Sequence, residues 1–317
     1  MKVTRSLTAV PQSAGTVVTI GNFDGVHLGH QAILRRVIAR SRELGLVPAV
    51  LTFDPHPAKV LAPAKAPLLI NTTAQKLRRL EQAGVEEVLL FPFSAEFAGL
   101  SPEEFAERVL RQTLNAKVVM TGEDFRFGHR QSGDIAKLRE LGVQLGFAVD
   151  AIADIDAGMR STGQRISSTG IRTLLGEGKV SQACRLMGAP FALEGRVVTG
   201  FGIGSKQTVP TLNLAAENEL LPRHGVYVTR TRANGTGPSV PSITNVGMRP
   251  TFEGAAVTVE TFLLGEAPAA APTRLEVEFL SWVRAERKFA SPEALRSQIL
   301  RDVGSARRFH RRFAASA

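Results

Sequence analysis

One cysteine, one tryptophan and one tyrosine occur in 317 residues. With Cys184 alone, no intrachain disulfide can form, which fits a reducing compartment. Rings for stacking bases are scarce too, since most of the 17 phenylalanines read as core. No apolar run approaches the roughly 18–20 residues that span a bilayer. The first 20 residues lack an apolar core followed by a small-residue cleavage site, so a cytoplasmic chain is expected. What is present is ordinary: 44% hydrophobic and 21% charged residues, which excludes a disordered, collagen-like or disulfide-scaffold chain. At roughly 100–200 residues per domain, the length suggests two domains.

Acidic residues are the minority, 29 against 39 basic, giving a net charge of +10. Thirty of the basic residues are Arg, whose planar fork suits phosphate, although a GC-rich genome gives the same bias. From Arg284 to Arg312, nine basic residues face Glu286, Glu293 and Asp302. This stretch reads as a solvated basic helix face in preference to a nucleic-acid surface. Neither nucleic acid nor membrane is expected as a partner. Self-association is allowed by the sequence but not predicted by it.

The first part alternates strand and helix patterns. Strands are expected at 16–20, 47–53, 88–91, 117–121 and 148–152. Helices are expected at 27–44, 72–83 and 134–145, with another starting at Ser101-Pro102-Glu103-Glu104. Two short helices follow, at 171–175 and 180–187. This order implies a parallel, doubly wound α/β sheet. Beyond Gly188-Ala189-Pro190 come short β-type runs at 195–199, 226–230, 257–264 and 275–280, as in an antiparallel sandwich or barrel. A last helix starts at Ser291-Pro292 and runs towards Ala306. The expected domains are 1–188 (α/β) and 189–317 (mainly β).

The segment Gly21-Asn22-Phe23-Asp24-Gly25-Val26-His27-Leu28-Gly29-His30 follows the first strand and opens the first helix. In a doubly wound sheet, ligands sit at the carboxyl ends of strands. A helix start offers free N–H groups and a positive dipole end to phosphate. His27 and His30, at i and i+3, project from one face of the first turn. Phosphoryl and nucleotidyl transfer need such positioning and charge stabilisation more than a covalent nucleophile.

This decapeptide resembles the HxGH signature of the nucleotidylyltransferases. Three further segments narrow the resemblance: Thr52-Phe53-Asp54-Pro55-His56-Pro57, Gly122-Glu123-Asp124-Phe125-Arg126-Phe127-Gly128, and Ile166-Ser167-Ser168-Thr169-Gly170-Ile171-Arg172. In order and spacing they are similar to the adenylyltransferase module of bacterial bifunctional riboflavin kinase/FAD synthetases, across residues 15–188. The resemblance implies a nucleotide site at Gly21, Asn22, Phe23, Asp24, His27, Gly29 and His30, with Ser167, Ser168, Thr169 and Arg172 holding phosphates. It implies a flavin site at Phe53, Pro55, His56, Asp124 and Phe125. Read without the family, the Ser-Ser-Thr run is a helix cap, Phe53-Asp54-Pro55 a turn, and Phe125 and Phe127 core.

The second part opens with Gly200-Phe201-Gly202-Ile203-Gly204-Ser205-Lys206, then Pro210-Thr211-Leu212-Asn213. The glycine run is not a P-loop, because no Gly-Lys-Ser/Thr follows. The second segment resembles the Pro-Thr-Ala-Asn signature of riboflavin kinases, with Leu212 in place of Ala. Gly225-Val226-Tyr227, the segment 244–252, Val259-Glu260-Thr261 and 284–289 resemble the same family, covering the rest of the chain. The resemblance implies nucleotide contacts at Gly202, Gly204, Lys206, Thr211 and Asn213, Mg2+ contacts at Thr211 and Asn213, and a catalytic base at Glu260. The expected chemistry is phosphorylation of riboflavin to FMN by Mg2+–ATP, then adenylylation of FMN by ATP to FAD with release of pyrophosphate. Competing readings are a monofunctional FAD synthetase with an inactive β domain, a flavin-sensing binding protein, and an RNA- or DNA-binding protein.

Overall fold

The computed structural model describes residues 1–7, 15–152, 166–198, 211–251, 254–265 and 271–314. The chain divides into two compact units, Met1–Ser167 and Ser168–Ala317.

The first unit carries a six-stranded sheet in the order β1-β4-β3-β2-β5-β6, with every pairing parallel. Its strands are β1 (Lys2–Thr4), β2 (Thr16–Ile20), β3 (Val47–Phe53), β4 (Glu87–Phe91), β5 (Ala116–Gly122) and β6 (Ala148–Ile152). The four central strands are nearly continuous apolar runs because both faces are covered. On one face, Val18, Leu51, Leu89 and Val119 pack with Val109, Leu110, Leu138 and Leu141. These come from a π-helix (Phe105–Thr113) and α6 (Ile135–Leu145). On the other face, Val50, Val88 and Leu90 meet Leu34 and Leu80 of α1 (Leu28–Leu44) and α3 (Thr73–Gln82). Short helices α2 (Pro57–Leu61), α4 (Ala95–Ala98) and α5 (Pro102–Glu104) fill the connections. The Ser101 start signal forms a capping box with Glu104, and α5 runs on into the π-helix.

Chain order gives the sheet its crevice. After β2, strands β3 and β4 add on one side, and β5 then returns to the other side of β2. The strand carrying the histidine segment is therefore central, flanked by β3 and β5 at the switch point where ligands bind.

The second unit starts with α7 (Ser168–Gly176) and α8 (Val180–Met187). A closed antiparallel barrel follows, in the order β10-β11-β8-β7-β12-β9. Its strands are β7 (Phe191–Val198), β8 (Leu212–Ala216), β9 (Gly225–Ala233), β10 (Val240–Thr251), β11 (Gly254–Leu263) and β12 (Arg274–Ala285). The compact division lies ahead of the composition change near residue 189 because α8 packs on β7 and β12. Cys184 anchors it: its thiol donates to the Phe279 carbonyl and accepts from the Phe191 N–H, both at 3.3 Å. Inside the barrel, the hydroxyls of Thr231, Ser242, Thr229, Thr244 and Thr261 form a continuous buried chain with links of 2.7–2.9 Å. Gly195 permits closure, since a Cβ there would stand 1.8 Å from the Ala215 carbonyl oxygen.

Helix α9 (Pro292–Ala314) covers the outer face of β9 and β10, where Val303 and Ala306 meet Val226, Val228 and Ile243. Arg284 pairs with the buried Asp302 at 2.8 Å. Arg307, Arg308, Arg311 and Arg312 are exposed, so the basic tail is the solvated face of a docked helix.

Candidate active sites

Strand β2 ends at Ile20, and Gly21 still donates to the Leu51 carbonyl of β3. The chain then turns sharply through Phe23 (φ 50°) and Val26 (φ 39°) into α1. Left-handed backbone at non-glycine residues costs on the order of 1–3 kcal/mol each, and at a β-branched Val it is rarer still. Neighbours hold the turn. The Asp24 carboxylate, 5% exposed, accepts the backbone N–H groups of Ile70 and Asn71. Lys76 and Arg79 of α3 donate to the carbonyls of Asn22 and Gly25, and the Gln31 amide donates to that of Val26.

His27 is the N-cap of α1, its Nδ1 accepting the His30 N–H at 3.4 Å. The two imidazoles stack at 3.7 Å and 17°. Gly29 leaves room for this stack, since a Cβ would press on His27 Nδ1 at 3.1 Å. Phe23 is buried, 4.9 Å from the His30 ring, and Asn22 is exposed at the lip. Phe23 and Asp24 thus build the loop rather than line an open surface.

His30 is partly exposed as a residue, but its Nδ1 is buried and, among the described residues, has no partner. Burial, and secondarily the neighbouring His27, hold its pKa well below the ordinary histidine value. Folding therefore disfavours the protonated ring, whose unfolded pKa is about 6.5. Its stabilising contribution is full above that pH and is lost as pH falls towards the folded value. Thermal unfolding of the full chain should show a midpoint that drops between pH 6.5 and 5, less steeply in His30→Asn. His310 on α9, whose pKa burial also lowers, contributes to the slope left in that variant.

The flavin candidates flank this loop. Phe53, at the end of β3, meets Phe93 edge-on at 5.4 Å and is tilted against Phe97 at 5.8 Å. Pro55 is exposed, and His56 caps α2 by accepting the Ala58 N–H at 3.1 Å. Beyond β5, Asp124 is exposed, and Phe125 stacks parallel to the buried Phe127 at 5.6 Å. A half-open phenylalanine wall thus lines one side of the crevice. Ser168 is the first residue of α7; Ser167 and Arg172 are partly buried and Thr169 is exposed. Ser167 closes the first compact unit, and Ser168, Thr169 and Arg172 belong to the second.

In the barrel, register assembles the candidate set. Glu260 of β11 lies opposite Asn213 of β8 on one side and Asn245 of β10 on the other. Residues directly opposite across antiparallel strands share a face, with Cβ atoms about 4.5–5.5 Å apart. Thr211, exposed, precedes β8. Val259 and Thr261 point inward and are buried, so Glu260 faces out, as alternation predicts. Val257 does not share their burial, because it is paired with Met248 towards the exposed end of the β10–β11 hairpin. Gly202, Gly204 and Lys206 lie outside the described residues. Beside Asn213, Leu212 lines a cavity of about 200 Å³ with Thr231, Ala233, Val240, Leu263 and Leu275.

Sequence reasoning missed Lys76, Arg79, Asn71 and Asn245. For the first three the only signal is the capping box of Thr72 and Gln75, which starts α3 and sets its register over the loop, whereas Asn245 is singled out only by its register opposite Glu260.

A helix start with free N–H groups and two imidazoles, placed at a switch point, is equipment for polyphosphate. The barrel adds a carboxylate between two amides. Together they define a two-domain transferase acting on nucleoside triphosphates. Residues 9–170 match the FAD synthetase family and residues 187–310 the riboflavin kinase family. The bifunctional riboflavin kinase/FMN adenylyltransferase of Escherichia coli K12 is 36% identical over 96% of this chain and 95% of its own length. That of Pseudomonas fluorescens is 37% identical over 94% of each chain. A crystal structure described as a macrolide-efflux protein from Streptococcus pneumoniae superposes with a TM-score of 0.84 at 28% identity, covering 96% of this chain and 98% of that one. Among the described residues, no helix is long and apolar enough to cross a membrane. The chain belongs to the bifunctional riboflavin kinase/FMN adenylyltransferase family, with its FAD synthetase domain first and its riboflavin kinase domain second.

Proposed function

We propose that the two reactions run on the two residue sets described above, with the adenylyltransferase domain spanning 1–188 and the kinase domain 189–317. The observation that carries this reading is Glu260 held in register between Asn213 and Asn245, on a domain separate from the stacked His27–His30 pair.

In the kinase, Glu260 takes the proton of the ribityl hydroxyl as that oxygen attacks the γ-phosphorus of ATP, the bond to the bridging oxygen breaks and ADP leaves. Thr211 and Asn213 offer hard oxygen donors beside a carboxylate, a set that fits Mg2+. When bound, Mg2+ neutralises phosphate charge. Gly202, Gly204 and Lys206 attend the phosphates.

In the adenylyltransferase, the FMN phosphate oxygen attacks the α-phosphorus of a second ATP, and pyrophosphate leaves. The backbone N–H of Gly29, with the two imidazoles, meets the charge that develops on the α-phosphate. Ser167, Ser168, Thr169 and Arg172 hold the departing phosphates. Phe53, Pro55, His56, Asp124 and Phe125 receive the flavin. The setting is cytoplasmic, and the partners are these small molecules.

One time course tests the whole reading: purified protein with riboflavin, ATP and Mg2+, and in parallel with FMN, ATP and Mg2+, resolved for each flavin. FMN followed by FAD is expected in the first reaction. FAD in the second reaction alone would mean that the barrel lacks kinase activity.

A further inference from the structure

Lys76 belongs to none of the motifs above, yet its ammonium lies between the ends of β2 and β3. It donates to the Phe53 carbonyl at 2.9 Å, the Thr52 hydroxyl at 3.3 Å and the Asn22 carbonyl at 3.5 Å. An ammonium has three N–H donors and no acceptor. All three therefore have acceptors within the protein, and none is left for a phosphate. Thr52 in turn donates to the same Asn22 carbonyl at 3.1 Å, so two donors converge on one oxygen. That oxygen belongs to the residue before the left-handed turn at Phe23.

The three acceptors come from two different segments. Asn22 opens the histidine loop after β2, and Thr52-Phe53 ends β3 and leads into Pro55 and His56. We infer that Lys76 is a positioning residue for FMN adenylylation: a single side chain that fixes the spacing between the nucleotide loop and the flavin loop. The inference rests on the assignment of those two loops to the two substrates. Its physical basis is reach. Attack needs the FMN phosphate oxygen in line with the α-phosphorus, and a misplacement of about 1 Å can cost on the order of 100-fold. Burial lowers the Lys76 pKa, while the charges of Asp54 and Asp24 oppose that shift. A neutral replacement of similar length would keep most of the packing but lose all three bonds.

The test uses the full chain, with riboflavin phosphorylation as the internal measure of intact protein. Lys76→Met should lower kcat for FAD formation from FMN and ATP by about 30-fold or more, with both KM values within about threefold. Riboflavin phosphorylation and the thermal unfolding midpoint should stay near the parent. Lys76→Arg, which keeps the charge and donors, should recover part of the lost kcat. A Lys76→Met kcat within threefold of the parent would overturn the inference. So would a loss matched by unfolding of the protein at the assay temperature and equal in Lys76→Arg. His27→Ala, measured alongside, separates the two levels: if it lowers FAD formation while Lys76→Met does not, only the inference falls. If neither changes FAD formation, the loop assignment falls and the inference with it.

Discussion

Replacing both His27 and His30 by alanine is expected to stop FAD formation from FMN and ATP, by about 1,000-fold or more, while riboflavin phosphorylation continues at the parent rate. Removing one preorganised donor from a developing oxyanion typically costs about 100–1,000-fold. The two rings stack at 3.7 Å, and His27 also caps the helix whose free N–H groups face the site. Their losses should not add, since the first deletion already disorders the second ring. The cap itself contributes about 1 kcal/mol, so the double variant should unfold slightly earlier yet remain folded. Its riboflavin kinase rate, read in the same tube, is the control. FAD formed at the parent rate would show that the histidines do not attend the reacting phosphate.

Glu260→Gln should give the mirror image. The amide keeps the shape and the place between Asn213 and Asn245 but cannot accept the hydroxyl proton. A positioned general base is typically worth about 100–10,000-fold, so FMN formation should fall within that range. Adenylylation of supplied FMN should be unchanged. A variant that still phosphorylates riboflavin at the parent rate would remove Glu260 from the chemistry. An unfolding midpoint and a circular dichroism spectrum that match the parent would show that the barrel still folds and that the loss is chemical.

The architecture was legible where one physical signal dominated. The central parallel strands, buried on both faces, read as apolar runs, and in the structure Gly45 and Gly146 close α1 and α6 as left-handed caps. The histidine segment was legible because three glycines and two histidines within ten residues are rare without a reason. What was not legible depended on distance in sequence. Strand β1, of three residues, is too short to show a period. Strand β8 is set off by a leucine and an asparagine rather than by β-branched residues. Strand β10 carries Pro241 and Pro250, which argue against a strand until its neighbours are known. The last helix runs to Ala314 rather than stopping near Ala306, because Phe309 continues its apolar stripe against the barrel. Asn245 acquires meaning only from register, and Lys76 only from the approach of α3 to the ends of two strands. The first compact unit closes at Ser167 because α7 and α8 find their apolar partners in each other and in the barrel, which composition does not reveal.

The hydroxyl chain inside the barrel has a consequence for how reliably the barrel closes. Strands β9 and β10 are covered outside by α9 and packed inside as well, so a one-residue slip would simply exchange one buried face for the other. Apolar patterning, which normally forbids such a slip, discriminates weakly here. Hydroxyls discriminate strongly. Thr229 faces Ser242 and Thr244 faces Thr261 in the native pairing, and a slip would turn these groups out under Val303 and Ala306 with no partners. Each buried hydroxyl left unpaired costs about 1–3 kcal/mol. The polar thread through an otherwise oily interior thus favours the native strand register over a slipped one.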